Sequence, residues 1–171
     1  MNEYEALVDE TVRTKHTVML VGGLDTGKST LSRRLLEAAA AAGRRAAYVD
    51  ADLGQKTVGP PATMALRFVH SAEDLAPGRF EEADALAFVG ATSPQGHMVQ
   101  VISAVASLHR RALEAGAELV VVDTSGMVSG VYGQILKYHK VEMVRPDLVV
   151  GLQRGEELLP LLGVIQRFFA T

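Results

Sequence analysis

Cysteine is absent from this chain of 171 residues. Its absence excludes structural disulfides, thiolate catalysis and cysteine-ligated zinc, and it fits a reducing compartment. No apolar run approaches the roughly 18–20 residues that are needed to cross a bilayer. The first five residues, MNEYE, are acidic and polar, which is atypical of a signal peptide. We therefore expect a cytoplasmic protein that has no membrane partner.

The chain also lacks an excess of positive charge, since 17 lysines and arginines stand against 20 acidic residues and the net charge is −3. No global basic field would hold nucleic acid nonspecifically, so any contact with nucleic acid needs a local site. Apolar residues make up 48% of the chain and charged residues 22%, a mixture typical of one globular domain. We interpret residues 1–171 as a single domain.

The strongest motif is a glycine-rich loop at residues 22–29, GGLDTGKS, which fits the Walker A signature GxxxxGK[ST] in full. Small residues let backbone N–H groups turn inward around phosphate oxygens, and a helix that begins near Lys28 would point its positive end at the anion. We expect Lys28 to contact the β- and γ-phosphates and Ser29 to ligate Mg²⁺. The other predicted nucleotide-binding residues are Gly22, Gly23, Leu24, Asp25, Thr26, Gly27 and Thr30.

Compact apolar runs alternate with helical patterns along the whole chain. The runs predict strands at residues 17–21, 45–49, 64–69, 85–89, 118–122 and 148–152, and the helical patterns lie at 2–14, 28–42, 97–115, 131–143 and 156–169. This alternation predicts an α/β fold of the P-loop NTPase type, a mainly parallel open sheet with helices on both faces in three α/β/α layers. Ligands of such sheets bind at the carboxyl ends of the strands.

Carboxylates follow two of these predicted strands. Asp123 ends the fifth strand and resembles a Walker B carboxylate, which holds Mg²⁺ directly or through water. Asp50 and Asp52 end the second strand and would share one side of an extended segment. Such a pair suits the orientation of metal-bound water and the acceptance of a proton from an attacking hydroxyl, although aspartate is also common in turns. We assign Ser29, Asp50 and Asp123 to the metal site.

Three further features are less specific. The Thr92 and Ser93 hydroxyls follow another strand, where they would hold a phosphate or metal water, or cap the next helix. Lys137, His139 and Lys140 form a small basic cluster, which we interpret as the solvated face of a helix. The Asn-Lys-x-Asp sequence of guanine-specific NTPases is replaced after the last strand by LQRGE, so we expect adenine as the base.

Several segments together resemble the polynucleotide 5′-hydroxyl-kinase family of RNA-processing P-loop proteins. They are GGLDTGKSTL at 22–31, VDADLGQKTVGPP at 49–61, FVGATSPQGH at 88–97, and the Lys…Lys-x-Glu…Pro-Asp pattern within 137–162. The resemblance implies transfer of the ATP γ-phosphate to a 5′-hydroxyl of RNA or DNA, with Mg²⁺ as the second cofactor. It implies that Lys28 is catalytic and that Asp52 is the general base. It also implies that Gln55 and Thr92 order metal and substrate, and we place Ser93 with them.

Two other functions fit parts of the sequence. The DTSG segment at 123–126 resembles the DxxG switch of several NTPases, which would suit an ATPase or GTPase that acts through a protein partner. The acidic net charge and short chain would suit a kinase for a small hydroxyl metabolite. The sequence leaves the oligomeric state open.

Overall fold

The computed structural model describes residues 3–169, so the predicted first residue of the leading helix, Asn2, lies outside the described residues. Its helices and strands follow the predicted order along the chain. They are α1 Glu3–Thr14, β1 Thr17–Gly22, α2 Lys28–Ala41, β2 Ala46–Ala51, β3 Thr63–Val69, β4 Ala85–Phe88, α3 Met98–Glu114, β5 Leu119–Thr124, α4 Gly130–Val144, β6 Leu148–Leu152 and α5 Leu159–Phe168.

The six strands form one sheet in the order β4-β3-β2-β5-β1-β6. Strands β2, β5, β1 and β6 are parallel, whereas β3 is antiparallel to both of its neighbours. The segment between β2 and β3 contains no helix, and a parallel pairing would need a longer crossover connection. Because β3 is reversed, β4 runs in the direction of β2. The carboxyl ends of β1, β2, β4, β5 and β6 therefore meet at one edge.

Helices cover both faces of the sheet and create two separate apolar cores. One core joins the sheet to α3, α4 and α5, and the other joins it to α1 and α2. Along β5, Val120 and Val122 face the first core, and Leu119 and Val121 face the second. Residues that are buried on both faces explain why the strand is a continuous apolar run rather than an alternating one. The predicted three-layer P-loop architecture is confirmed.

The helices in the described part of the chain are too short or too polar to cross a membrane.

Candidate functional site

A pocket of about 450 Å³ opens at the carboxyl edge of the sheet. Three segments that are distant in sequence meet there: the glycine loop after β1, the end of β2 with the loop after it, and the end of β5. The pocket is lined by Asp25, Thr26, Gly27, Lys28, Ser29, Thr30, Tyr48, Asp50, Asp52, Gln55, Lys56, Thr57, Asp123, Thr124 and Gly126. Most of the residues predicted to act at a site are therefore brought together.

Close contacts leave no room for a side chain at Gly22, where the glycine loop begins. A Cβ atom on Gly22 would lie 2.5 Å from the Leu152 carbonyl oxygen and 2.6 Å from Thr26 Oγ1. Gly27 has a φ of 96°, in the left-handed region, directly before the first residue of α2. The loop is thus held against β6 on one side and leads straight into a helix N-terminus, an arrangement that favours binding of phosphate.

The Lys28 side chain folds back over the loop, where its Nζ donates a 2.6 Å hydrogen bond to the Gly23 carbonyl. Burial lowers the pKa of Lys28 from its usual value, although the nearby Asp123 and Asp52 carboxylates act in the opposite direction. An ammonium group that is partly removed from water interacts more strongly with an anion than an exposed one. Lys28 is therefore suited to bind a phosphate in this pocket.

Asp123 lies at the centre of a small polar cluster on the pocket floor. Its Oδ2 accepts hydrogen bonds from Ser29 Oγ at 2.9 Å and from Tyr48 Oη at 3.0 Å, while its Oδ1 is buried with no hydrogen-bond partner among the described residues. Burial is the main cause that raises the pKa of Asp123. A buried carboxylate oxygen without a partner calls for a cation or a water molecule.

Ser29 and Asp123 are a suitable pair of ligands for Mg²⁺. This ion prefers oxygen ligands, and it usually binds one or two protein groups together with water and phosphate oxygens. No group of three or more His, Cys, Asp or Glu side chains in residues 3–169 is arranged to hold a metal by itself. The unpartnered Oδ1 of Asp123 fits a site that is completed by a nucleotide phosphate.

Asp50 makes several contacts that the sequence did not predict. Its Oδ2 accepts hydrogen bonds from the backbone N–H groups of Thr57 at 2.7 Å and Val58 at 2.9 Å. Its Oδ1 forms a buried ion pair with Lys56 Nζ at 2.8 Å. Direct ligation of a metal by Asp50 would require these bonds to break. In this structure Asp50 holds the loop after β2 in place, and its assignment to the metal site remains a prediction.

Asp52 is half-buried and lines the same pocket as Lys28. Its Oδ1 accepts hydrogen bonds from the backbone N–H groups of Gly54 at 2.9 Å and Gln55 at 3.2 Å. Its Oδ2 accepts no hydrogen bond within the described structure. One oxygen therefore fixes the orientation of the carboxylate, and the other is free to accept a proton.

Thr92 and Ser93 lie at the rim beside Gly54 and are not among the pocket residues. Both are exposed, and the Thr92 carbonyl would be 3.2 Å from a Cβ on Gly54. Ser93 Oγ accepts a 3.4 Å hydrogen bond from the Gln95 N–H within its own turn. Gln55 lines the pocket. The substrate contacts of these three residues remain predictions.

The interpretation of the basic cluster on α4 is wrong for two of its three members. Lys137 and Lys140 are 0% and 1% exposed, whereas His139 is partly exposed and lies 2.8 Å from Glu142. The buried positions of α4 are 133, 136, 137, 140, 141 and 144, which is the spacing of one helix face. That spacing is visible in the sequence and places both lysines within an apolar stripe.

The sequence also did not predict that Arg154 contacts the glycine loop. This residue follows β6, and its Nη2 donates a 2.5 Å hydrogen bond to the Asp25 carbonyl. Tyr48 and Lys56 also line the pocket, and neither was predicted to act at the site.

The strand order, the glycine loop and the Ser29–Asp123 pair define a P-loop nucleotide-binding protein. A family model described as "mRNA cleavage and polyadenylation factor CLP1 P-loop" matches residues 22–167. The chain belongs to this family, which confirms the resemblance found in its sequence.

Several curated relatives carry the name polyribonucleotide 5′-hydroxyl-kinase. The chain is 36% identical to one from Pyrococcus abyssi over 158 residues, which cover 90% of this chain and 42% of the relative. It is 35% identical to one from Methanocaldococcus jannaschii over 149 residues, which cover 85% of this chain and 39% of the relative. It is 33% identical to Clp1 from Rattus norvegicus over 147 residues, which cover 80% of this chain and 34% of the relative. The chain thus spans less than half the length of these relatives.

Solved structures support the fold. A Clp1p–Pcf11p complex contains a chain that matches with a TM-score of 0.74 at 14% identity, covering 96% of this chain and 44% of that one. The 54 kDa protein of the signal recognition particle from Aeropyrum pernix, in complex with GDP, matches with a TM-score of 0.53 at 21% identity, covering 86% of this chain and 33% of that one.

Proposed function

We propose that this chain transfers the γ-phosphate of ATP, in the presence of Mg²⁺, to the 5′-hydroxyl of a polynucleotide. The observation that carries the proposal is that Asp52 lines the same pocket as Lys28 and has one carboxylate oxygen without a hydrogen bond in the described structure. The names of the relatives, polyribonucleotide 5′-hydroxyl-kinase, give the class of acceptor.

Each residue has a distinct task in this reaction. The backbone N–H groups of the glycine loop and Lys28 bind the phosphates, and Ser29 with Asp123 would hold Mg²⁺, which offsets the negative charge on the phosphate oxygens. Asp52 Oδ2 accepts the proton of the attacking hydroxyl. A bond forms between the 5′-oxygen and the γ-phosphorus, and the bond from that phosphorus to the β,γ-bridging oxygen breaks. Catalysis of such a transfer depends mainly on positioning and charge neutralisation.

The acceptor strand would approach from the rim that Gln55, Thr92 and Ser93 form. The exposure of the latter two leaves their hydroxyls open to a ligand. The net charge of −3 argues against nonspecific binding of long nucleic acids, so recognition would centre on the strand end.

A transfer assay with an acceptor panel tests this function. Purified protein is incubated with Mg²⁺ and γ-labelled ATP or GTP, together with single-stranded RNA, single-stranded DNA, duplex ends or small hydroxyl metabolites. We expect label on a polynucleotide 5′ end and a preference for ATP. Asp52→Asn should lose transfer while its affinity for nucleotide stays unchanged, and Asp9→Asn on the exposed face of α1 is the matched control. Failure of every polynucleotide to accept label would overturn the proposal, and label on metabolites alone would identify a metabolite kinase.

A nucleotide switch is the second candidate, and one contact favours it. A Cβ on Gly126 would lie 2.9 Å from the backbone nitrogen of Leu24, so the DTSG segment packs directly on the glycine loop. A segment in this position can respond to the presence of a γ-phosphate. Slow hydrolysis that polynucleotides leave unchanged, but that a protein partner accelerates, would favour the switch.

A further inference from the structure

Four of the five lysines in the chain gather around the pocket. The sequence contains five lysines and twelve arginines, so lysine is the rarer cation in this protein. Lys28 and Lys56 line the pocket, and Lys137 and Lys140 lie behind it on α4. The negative charges of Asp52 and Asp123 act to raise the pKa of both α4 lysines. Lys15, in the turn before β1, lies at the other end of the strands.

The two lysines of α4 are unusual because they are fully enclosed. Lys137 is 0% exposed and Lys140 is 1% exposed, and their neighbours Leu136 and Val141 belong to the apolar core. Burial lowers the pKa of Lys137 well below its usual value and lowers that of Lys140 to about 8. Removal of an ammonium group from water costs several kcal/mol, and an apolar residue of similar volume is often as stabilising or more so. Stability alone therefore does not explain these residues.

Each of these lysines donates hydrogen bonds to a segment that carries an acidic residue of the site. Lys140 Nζ donates a 3.0 Å bond to the carbonyl of Ala51, the residue before Asp52. Lys137 Nζ donates a 2.6 Å bond to the carbonyl of Ser125 and a 3.1 Å bond to its Oγ, two residues after Asp123. Strands β2 and β5 are neighbours, with Asp50 paired to Asp123. Helix α4 therefore contacts the carboxyl ends of both β2 and β5 through its two lysines.

We propose that Lys140 and Lys137 are positioning residues with separate tasks: Lys140 orients Asp52 towards the acceptor hydroxyl, and Lys137 fixes the Asp123–Gly126 segment at the metal and the γ-phosphate. The inference rests on the proposed phosphoryl transfer and adds residues that contact neither substrate. Two tasks imply two different kinetic defects, because each lysine is bonded to a different segment.

Paired variants separate the two tasks in the full chain. In Lys140→Met, kcat for RNA phosphorylation should fall about 10- to 100-fold, the effect expected when a reacting group is misplaced by about 1 Å, while KM for ATP and the Mg²⁺ requirement stay as in wild type. In Lys137→Met, the Mg²⁺ concentration for half-maximal activity should rise several-fold. Lys15→Met should behave as wild type. Equal defects of both variants in all three quantities would indicate a merely structural role and would overturn the proposal.

Hydrogen exchange tests the contacts without any need for activity. Amides of residues 50–58 should exchange faster in Lys140→Met, amides of 123–128 should exchange faster in Lys137→Met, and each variant should leave the other segment unchanged. Unchanged exchange in both segments overturns the inference even if wild type transfers phosphate. Absence of transfer by wild type overturns the proposed function instead. Lys140→Gln, which keeps an N–H donor without the charge, serves if Lys140→Met fails to fold.

Discussion

The Ser29 hydroxyl lies 2.9 Å from Asp123 Oδ2, and this hydrogen bond joins the first turn of α2 to the end of β5. The two residues are 94 positions apart in sequence. Tyr48 approaches the same carboxylate oxygen from β2, so three elements share one buried acceptor. Asp123 therefore has one buried carboxylate oxygen that accepts two hydrogen bonds and another that has no partner in the described structure.

Asp123→Asn should keep the thermal stability of the ligand-free protein and lose the response to Mg²⁺. The variant removes a buried charge, so in the absence of ligand its thermal stability should equal or slightly exceed that of wild type. The stabilisation that Mg²⁺ adds to the ATP-bound protein should be lost, because a neutral amide is a weak ligand for this ion. Thermal unfolding with ATP, with and without Mg²⁺, measures both effects. The exposed Glu114→Gln is the control, and a normal Mg²⁺ response in Asp123→Asn would remove Asp123 from the metal site.

Gly126→Ala should weaken nucleotide binding by pushing the DTSG segment away from the glycine loop. The new methyl group would lie 2.6 Å from Leu24 Cδ2 and 2.9 Å from the Leu24 backbone nitrogen, and the backbone atom cannot move without moving the loop. We expect the Kd for ATP to rise about tenfold or more, since overpacking costs about 1–3 kcal/mol.

Gly163→Ala on α5 is the matched control for this substitution. It meets no atom within 4 Å and should stabilise the helix by up to about 1 kcal/mol without affecting ATP binding. Isothermal titration and urea unfolding of both variants make the comparison. Wild-type ATP affinity in Gly126→Ala would show that the contact has no role in binding.

The sequence predicted most of the fold because the strands are buried on both sides and end in polar residues. A run such as Leu119–Val122 followed by Asp123 indicates both the strand and the edge where ligands bind. The reversal of β3 was not predicted, because an apolar run carries no information on its direction. The direction follows instead from the helix-free connection that precedes β3.

The site residues were predicted where a local motif exists and were missed where only tertiary contacts place them. The glycine loop is such a motif, and its lysine and serine line the pocket as expected. Arg154 reaches Asp25 across 129 residues, and no local pattern indicates that contact. The contacts of Asp50 with the loop after β2 were missed because an aspartate after a strand can organise a loop as well as bind a metal.

Asp50→Asn should disorder the loop after β2 and leave Mg²⁺ binding intact. The variant leaves the Lys56 ammonium buried without its partner, which is expected to cost about 3–5 kcal/mol of folding free energy. In the double variant Asp50→Asn/Lys56→Met most of that loss should return, because no unpaired charge remains. Urea unfolding of wild type, of each single variant and of the double variant gives the coupling free energy between Asp50 and Lys56. A large loss of Mg²⁺ affinity in Asp50→Asn would instead support the assignment of Asp50 to the metal site.

The pH dependence of stability should reveal the charge on Lys140. Its pKa is about 8 in the folded protein and 10.5 in the absence of burial, and Asp52, Asp50, Lys56 and Asp123 are the charged groups that act on it. Between these two pH values the unfolded chain binds more protons than the folded one, so the contribution of Lys140 to the free energy of unfolding rises with pH. Below pH 8 that contribution is constant and at its lowest.

Lys140→Met removes this contribution, so the comparison with wild type isolates it. At pH 7 the variant avoids the cost of burying a charged lysine, so its free energy of unfolding exceeds that of wild type by the largest amount. From about pH 8 to pH 10 its relative gain should shrink by roughly 2–3 kcal/mol, since each unit of pKa difference corresponds to about 1.4 kcal/mol. Urea unfolding of both proteins at several pH values measures the difference, with Lys15→Met as control. A difference that stays constant with pH would show that Lys140 keeps its ordinary pKa, and that its ammonium remains hydrated despite its enclosure by α4.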